Sequence, residues 1–153
     1  MSNDIVTLTD NILSYKKHIL KQLKDDRNEI KQFWLRKTKK MVIAVLMCKK
    51  DNKCYYSKGI NLEVSMPTGS LCAERNAIST MLANNPSISR KDFKMIAVLS
   101  INITELKEND LNPINPCGSC REWLKKIAEV NPKFKIINYK SEKCVNVYIT
   151  NII

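Results

Sequence analysis

The spacing of hydrophobic residues predicts three helices. Residues 7–37 carry apolar positions on one helical face, and Asp10 is a candidate N-cap for that segment. Two shorter helices, at residues 72–85 and 117–130, are predicted where a turn containing proline is followed by a cysteine and a run of good helix formers. The chain is therefore expected to carry one long N-terminal helix and two interior helices that each begin at a cysteine.

Apolar runs of strand length alternate with these helices. The runs are residues 41–48, 54–61, 95–103, 134–139 and 144–149. The turn signal Asp51-Asn52 predicts that the first two runs form a hairpin. Only about four residues separate the last two runs, too few for a parallel crossover, so these strands are predicted to be antiparallel. The order β-β-α-β-α-β-β predicts an α/β fold with a central mixed five-stranded sheet and helices packed on it.

Length and composition set limits on the class of protein. With 153 residues, 44% of them hydrophobic, the chain is expected to fold as a single domain, 1–153, in which residues 1–40 form a helical extension and residues 41–153 the core. The N-terminal segment lacks the pattern of a secretory signal, and no apolar run approaches the ~20 residues that span a bilayer. We therefore expect a soluble, cytoplasmic protein with no membrane partner.

The formal net charge of +11 raises the question of an anionic partner. The lysines are spread over several segments instead of forming one stripe with interleaved aromatic residues, which favours a generic solvated basic surface. The densest basic run, residues 36–40, is the candidate phosphate-binding segment. A nucleic-acid partner is therefore not favoured, but an RNA-binding or RNA-editing protein stays open as an alternative function.

Three of the six cysteines are candidate metal ligands. In a chain without a secretory signal, the C-x-x-C spacing of Cys117 and Cys120 indicates metal or redox chemistry rather than disulfides. These two residues share one face of the predicted helix, and helix N-termini favour thiolates. Together with Cys72 they would fill three corners of a zinc tetrahedron and leave the fourth for water.

Two charged residues follow the first candidate ligand. Glu74 comes two residues after Cys72 at the start of the same helix, where a carboxylate beside the open corner can take a proton from water and deliver it to a substrate nitrogen. The adjacent Arg75 can donate hydrogen bonds to a thiolate and reduce the negative charge of a three-thiolate site, as a supporting residue. These groups favour hydrolysis at an amidine-like carbon.

The segments Cys72-Ala73-Glu74 and Pro116-Cys117-Gly118-Ser119-Cys120-Arg121 together resemble the zinc signature of the cytidine deaminase superfamily. Because the first ligand is cysteine, the chain resembles the free-nucleoside cytidine deaminases and blasticidin S deaminase. The resemblance covers about residues 41–150. It implies a three-layer α/β/α sandwich, one Zn²⁺ per subunit and a homo-oligomer, either a tetramer or a dimer.

The resemblance also implies a reaction and a substrate. The reaction is hydrolytic deamination of cytidine or deoxycytidine to uridine or deoxyuridine with release of ammonia, and Glu74 is the catalytic residue. The implied partner is thus a small-molecule nucleoside. A blasticidin S-like aminonucleoside is the alternative substrate.

Further residues are implied to bind the substrate. Asn61-Leu62-Glu63 is similar to the Asn-x-Glu segment that holds the ribose hydroxyls in nucleoside deaminases, and alternate strand positions face one way. By the same likeness, the backbone at Ala73 and the carboxylate of Glu74 hold the pyrimidine edge. The plainer interpretation is that Asn61 and Glu63 are polar residues at the end of a strand.

Two segments depart from the family pattern. Met66-Pro67 replaces an aromatic residue that usually follows the Asn-x-Glu segment, and residues 104–115 have no obvious counterpart. The aromatic residue helps to shape the pocket for base and sugar. The sequence therefore leaves the substrate open among nucleoside, nucleotide, aminonucleoside and RNA.

The other three cysteines, Cys48, Cys54 and Cys144, occur in strand-like runs and are predicted to be buried free thiols. Any one of them could instead act as a fourth zinc ligand. The metal would then be structural, and Glu74 would have no catalytic purpose.

Overall fold

Among the described residues, the regular structure consists of seven strands, three α-helices and two short helical turns. The computed structural model describes residues 2–25, 27–35, 40–64, 69–103 and 110–152. The strands are β1 (Met41–Lys50), β2 (Lys53–Ile60), β3 (Leu62–Glu63), β4 (Ser70–Leu71), β5 (Phe93–Ile101), β6 (Lys135–Tyr139) and β7 (Val147–Asn151). The helices are α1 (Asn3–Gln22), α2 (Ala73–Asn84) and α3 (Gly118–Ala128).

The central sheet has five strands in the order β2-β1-β5-β6-β7. Strand β1 is antiparallel to both β2 and β5, while β5 and β6 are parallel because α3 lies in the connection between them. The last two strands, β6 and β7, are antiparallel. The predictions of a mixed five-stranded sheet and of an antiparallel final pair are both confirmed.

The hairpin between β1 and β2 follows from its turn residues. Asp51 and Asn52 have φ angles of 53° and 63°, so both adopt the left-handed conformation that a two-residue hairpin turn of the right twist requires. Asparagine and aspartate tolerate this conformation better than most residues. The turn pairs Lys50 with Lys53 and fixes the register along the whole of β2.

Helices cover both faces of the sheet. One face of β1 packs in a buried cluster with α1, and the other packs in a second cluster with α2 and α3. Alternation along the strand decides which residues face which helix. The residues on the α1 face are Met41, Ile43, Val45 and Met47, and those on the α2/α3 face are Ala44, Leu46 and Cys48. The protein is thus the three-layer α/β/α sandwich that the sequence predicts.

The first helix differs from its prediction at both ends. It begins at Asn3, because the hydroxyl of Ser2 accepts a hydrogen bond from the backbone N–H of Ile5 (3.3 Å) and caps the helix. Asp10 is therefore an interior residue, and its predicted role as N-cap is wrong. The helix ends at Gln22, whose carbonyl oxygen accepts a hydrogen bond from the Asn28 side chain (3.1 Å).

Among its described residues, the second half of the predicted 7–37 helix contains one short π-helical turn, Ile30–Trp34. The interior helices follow their predictions closely, with Cys72 and Cys117 as their N-caps. The last strand begins at Val147 instead of residue 144, because Cys144 lies in a turn with a φ angle of 58°. The division of the chain at residue 40 stays a prediction.

None of the helices in the described part of the chain has the length and the apolar character that a membrane span requires.

Candidate metal and active site

The three cysteines predicted as metal ligands lie together where α2 and α3 begin. The sulfur of Cys117 is 3.3 Å from that of Cys72 and 3.5 Å from that of Cys120. All three sulfurs lie within 4.8 Å of one another. Two of the residues are helix N-caps and the third is in the first turn of α3, so both helix dipoles favour negative charge at this point.

The donor set and its spacing fit a zinc ion. Sulfur ligands placed tetrahedrally at about 2.3 Å from zinc are separated by roughly 3.8 Å, close to the separations of Cys117 from its two neighbours. Soft thiolate ligands select zinc over the hard cations. Among the described residues this is the one group of three or more such side chains that can hold a metal. The three cysteines can thus hold a metal ion and leave one tetrahedral position over.

Hydrogen bonding makes the thiol of Cys72 more acidic than that of Cys120. The hydrogen bond from Cys120, with further ones from Arg75 and Cys117, lowers the pKa of Cys72 to about 5 against the opposing effect of its partial burial. The pKa of Cys120 is raised by its hydrogen bond to Cys72, by burial and by the nearby charge of Glu74. Of these two thiols, Cys72 is therefore the one that carries the negative charge more readily.

Arg75 supports this charge from the first turn of α2. Its Nη2 donates to the sulfur of Cys72 at 3.6 Å. Its Nε is buried and has no hydrogen-bond partner among the described residues. This N–H group is therefore an unused hydrogen-bond donor beside the sulfur cluster. A cation at this place reduces the negative charge that three thiolates bring to a metal.

Glu74 is buried beside the cysteine cluster. Only 5% of the residue is exposed, and burial raises the pKa of its carboxyl group. The residue belongs to the same helical turn as Arg75, and its charge acts on Cys120. A buried carboxyl group with a raised pKa can accept a proton and give it up again near neutral pH.

The cluster and Glu74 border a cavity of about 170 Å³. Its polar lining includes every residue that the sequence proposes for substrate binding. The lining residues are Val42, Asn61, Glu63, Cys72, Ala73, Glu74, Val98, Ile114, Asn115 and Cys117. The structure thus brings two of the three metal-site cysteines, the candidate proton carrier and the candidate substrate-binding residues to one small space.

Asn61 is held rigidly at the edge of this cavity. It is 4% exposed, and its Oδ1 accepts a hydrogen bond from the N–H of Val42 at 2.8 Å. Its Nδ2 donates to the carbonyl of Lys40 at 2.8 Å and to Oε1 of Glu63 at 3.2 Å. The side chains of Asn61 and Glu63 therefore face the same way, as their alternate positions predict. Their role in binding a substrate stays a prediction.

The sequence does not reveal the wall of the cavity formed by Ile114 and Asn115. Asn112 holds this segment against the sheet, because its side chain accepts from the N–H of Ser100 (2.9 Å) and donates to the carbonyl of the same residue (2.8 Å). Asn138 adds a hydrogen bond to the carbonyl of Ile114. The available signal is Asn138 itself, a polar residue between the buried neighbours Ile137 and Tyr139 of β6.

The remaining cysteines lie apart from the metal site. Cys48 and Cys144 are buried, and burial raises their pKa values to about 12 and about 11. Cys54 is exposed, so its predicted burial is wrong. Because none of them joins the cluster, the alternative of a fourth cysteine ligand is wrong as well.

Three sequence features lie wholly or partly outside the described residues. They are the basic run 36–40, of which residues 36–39 are not described, the pair Met66-Pro67, and the 104–115 segment, of which residues 104–109 are not described.

Comparisons with known structures agree with this fold. Cytidine deaminase from Burkholderia pseudomallei has a similar structure, with 23% identity, coverage of 88% of this chain and 91% of that chain, and a TM-score of 0.58. The enzyme from Mycobacterium leprae is 17% identical, with coverage of 99% and 95% and a TM-score of 0.60. At these identities the likeness shows the fold alone.

Sequence comparison extends the result beyond the fold. No curated protein matches the chain. The profile of one protein family, described as LmjF365940 subfamily CDD/CDA-like deaminase, matches residues 5–109 and 102–153 and so spans nearly the whole sequence. The chain belongs to this family of CDD/CDA-like deaminases.

Proposed function

We propose that the protein is a zinc-dependent hydrolytic deaminase of cytosine-containing nucleosides. The products are uridine from cytidine, or deoxyuridine from deoxycytidine, and ammonia. One observation carries the proposal: two cysteines of the candidate three-cysteine metal site and the buried carboxyl group of Glu74 border the same cavity as the paired side chains of Asn61 and Glu63. Membership of a deaminase family supports the reaction class.

Cys72, Cys117 and Cys120 are the residues that would hold one Zn²⁺ per subunit. When bound, the zinc supplies Lewis acidity that makes water a nucleophile at neutral pH. Arg75 offsets part of the negative charge of three thiolates through its hydrogen bond to Cys72. This reduction of charge matters because a strongly negative site opposes the deprotonation of water.

Glu74 carries the protons of the reaction. Water adds to C4 of the cytosine ring, and Glu74 takes its proton and passes it to N3. A second proton, from the hydroxyl group now on C4, passes through the same carboxyl group to the exocyclic amino group; the bond from C4 to that amino nitrogen breaks, ammonia leaves, and C4 becomes a carbonyl carbon. Burial favours this cycle because it raises the pKa of the carboxyl group toward the working pH.

The cavity lining supports a nucleoside as the substrate. Val42, Val98 and Ile114 provide apolar walls for a flat base, and the backbone at Ala73, which lines the same cavity, would bind the pyrimidine edge. A carboxylate and an amide in contact, Glu63 and Asn61, suit the hydroxyl groups of a sugar. The negative charge of Glu63 in the cavity disfavours a phosphate close to it.

A screen for ammonia release tests the proposal. The zinc-loaded protein would be incubated with cytidine, deoxycytidine, their monophosphates, blasticidin S and short single-stranded RNA. The proposal expects the free nucleosides to be turned over fastest. Preference for blasticidin S would move the assignment to an aminonucleoside deaminase, and activity on RNA alone would favour the RNA-editing alternative that the net charge of +11 suggests. No turnover of any of these compounds would refute the proposal.

We further propose that the enzyme works as a homo-oligomer, a tetramer or a dimer. Large apolar side chains on the outer sides of α2 and α3 support an interface there, since Leu82 is 42% exposed and Trp123 is 41% exposed. Light scattering after size-exclusion chromatography gives the mass directly. A mass of 17.6 kDa at micromolar concentration would contradict the oligomer.

A further inference from the structure

The proposed active site is built from two arms that belong to different elements. Cys72 and Glu74 are on the first turn of α2, whereas Asn61 and Glu63 follow the end of β2. Catalysis on a nucleoside requires a fixed distance between these arms, since one arm acts on the base and the other holds the sugar. The contact between α2 and the end of β2 sets that distance.

Backbone atoms of the helix and the strand meet directly at this contact. A Cβ atom on Gly59 would lie 2.3 Å from the carbonyl oxygen of Ala73 and 2.5 Å from the nitrogen of Ala77, so only glycine allows the approach. The hydroxyl of Ser57 donates to the carbonyl of Ala77 at 2.6 Å. These contacts fix how closely α2 approaches the strand. They do not include the carbonyl oxygen of Ile60 at the end of β2.

Asn76 makes the contact that reaches the second arm. Its Nδ2 donates to the carbonyl oxygen of Ile60 at 3.0 Å. The same peptide group also uses its other side, because the N–H of Asn61 donates to the carbonyl of Val42 at 3.2 Å. The peptide that leads into Asn61 is therefore held between β1 and α2.

The orientation of the Asn76 amide is itself fixed. The hydroxyl of Thr80, one turn later on α2, donates to Oδ1 of Asn76 at 3.4 Å. Since Oδ1 is the acceptor in this bond, Nδ2 is the atom that faces Ile60, and it has a donor to offer. The pair defines a short path from the helix that carries Glu74 to the strand end that carries Asn61.

Resting on the proposed function, we propose that Asn76 is a positioning residue for the sugar of the nucleoside. It acts through the Ile60–Asn61 peptide and sets where Asn61 and Glu63 lie relative to Glu74. Within the described structure, the hydrogen bonds of its side chain go to Ile60 and Thr80, not to a metal-site cysteine or a residue of the cavity lining, while its backbone N–H donates to the carbonyl of Cys72 at 3.0 Å, a bond that a side-chain substitution keeps. Its loss should therefore weaken recognition of the sugar hydroxyls and leave the zinc content unchanged.

The test variant is Asn76→Asp, which keeps the size of the side chain and places a carboxylate oxygen against the carbonyl of Ile60. Asn76→Ala removes the donor without adding charge and serves if the aspartate variant folds poorly. Ser79→Ala is the matched control, because Ser79 is exposed on the same helix and its hydroxyl donates only to the carbonyl of Arg75 (3.1 Å) within the described structure.

Binding of two ligands would be compared for each variant: cytidine, and 2′,3′-dideoxycytidine, which lacks the 2′- and 3′-hydroxyl groups but keeps the 5′-hydroxyl, measured as a competitor of cytidine. The inference expects cytidine to bind about tenfold more weakly to Asn76→Asp, the effect of losing about one hydrogen bond, and dideoxycytidine to bind as it does to the wild type. The zinc content and the turnover rate at saturating cytidine should change by less than about twofold. Equal weakening of both ligands, or of neither, would overturn the inference.

A second readout does not depend on activity. Amide hydrogen exchange at Asn61 should become about tenfold faster in both Asn76 variants and stay unchanged in Ser79→Ala. Unchanged exchange at Asn61 would overturn the inference even if activity fell. If the wild type turned over no nucleoside, the proposed function would fail, and the exchange rates would still decide whether Asn76 holds this peptide.

Discussion

Helices cover both faces of the central sheet, but the two faces differ in the polarity of their buried side chains. The α1 face is an apolar interface in which residues such as Leu8 and Ile12 are fully buried. The α2/α3 face carries buried polar side chains among its apolar ones. These are Ser57, Ser100 and Asn138 on the strands and Glu74 on the helix, each less than a tenth exposed.

A pair of cysteines shows what separates the two faces. Cys144, in the cluster on the α1 face, has its pKa raised to about 11 by burial, so it stays a thiol at neutral pH. Cys72, at the start of α2, has its pKa lowered to about 5 by hydrogen bonds from Cys120, Arg75 and Cys117. Hydrogen-bond donors at a helix N-terminus, not burial, create the reactive sulfur.

The comparison indicates which face contributes mainly to stability and which face contributes to the active site. On the α1 face a side chain contributes by packing, so its removal should lower the stability and spare the site. On the α2/α3 face the polar residues hold each other and the cavity, so their removal should affect the site first. The following predictions test this separation, from the largest expected effect to the smallest.

Cys120→Ala should abolish both zinc binding and deamination, because two thiolates do not complete the metal site. Cys144→Ala is the matched control and should keep full zinc content and activity. Zinc per subunit by elemental analysis and ammonia release measure the two effects. Loss of zinc in the control variant would break the distinction between the two faces.

Glu74→Gln should lower turnover by about 10²–10⁴-fold while zinc stays bound, since an amide cannot carry the proton. Glu122→Gln, on the exposed side of α3, provides a control for the loss of one carboxylate. Turnover at saturating cytidine and the zinc content are the measurements. Activity within tenfold of the wild type would show that another group moves the proton.

Leu8→Ala should destabilise the protein by about 2–5 kcal/mol, as is usual when a fully buried leucine leaves a cavity. The turnover rate of the folded protein should change little, because Leu8 packs on the face away from the site. Val6→Ala on the same helix is the control, since Val6 is 43% exposed. Denaturant unfolding gives the stabilities. A large fall in turnover without loss of stability would mean that the faces are coupled.

Arg75→Gln should weaken zinc binding by about 10–100-fold, because the thiolate of Cys72 loses its charged hydrogen-bond partner. Competition with a chelator of known affinity measures the change. Arg90→Gln is the control, as Arg90 pairs with Glu129 on the surface at 3.4 Å. Equal zinc affinity in the wild type and Arg75→Gln would leave the guanidinium without its supporting role.

Local chemistry explains which features the sequence could predict. The hairpin follows from Asp51-Asn52, and the shared helix face of Cys117 and Cys120 follows from their spacing, because short-range spacing fixes both. Cys72 joins them across 45 positions of the chain, and the motif Cys72-Ala73-Glu74, not local spacing, predicts it as the third ligand. The predicted start of α1 is wrong, because Ser2 and not Asp10 is the N-cap of the helix. That choice depends on apolar residues before residue 7, such as Ile5, that pack on the sheet.

Long-range contacts explain what the sequence could not predict. Ile114 and Asn115 border the cavity only because Asn112 binds Ser100 and Asn138 binds Ile114, contacts between residues twelve or more positions apart. No periodic pattern marks such pairs. The same holds for Asn76, whose bond to Ile60 joins the helix to the strand end.

X-ray absorption at the zinc edge of the loaded protein tests the central claim most directly. The account predicts three sulfur neighbours at about 2.3 Å and one oxygen or nitrogen neighbour at about 2.0–2.2 Å, which is the coordination of a metal with a position free for water. Four sulfur neighbours would contradict it, because a closed metal centre leaves the carboxyl group of Glu74 with no water to deprotonate.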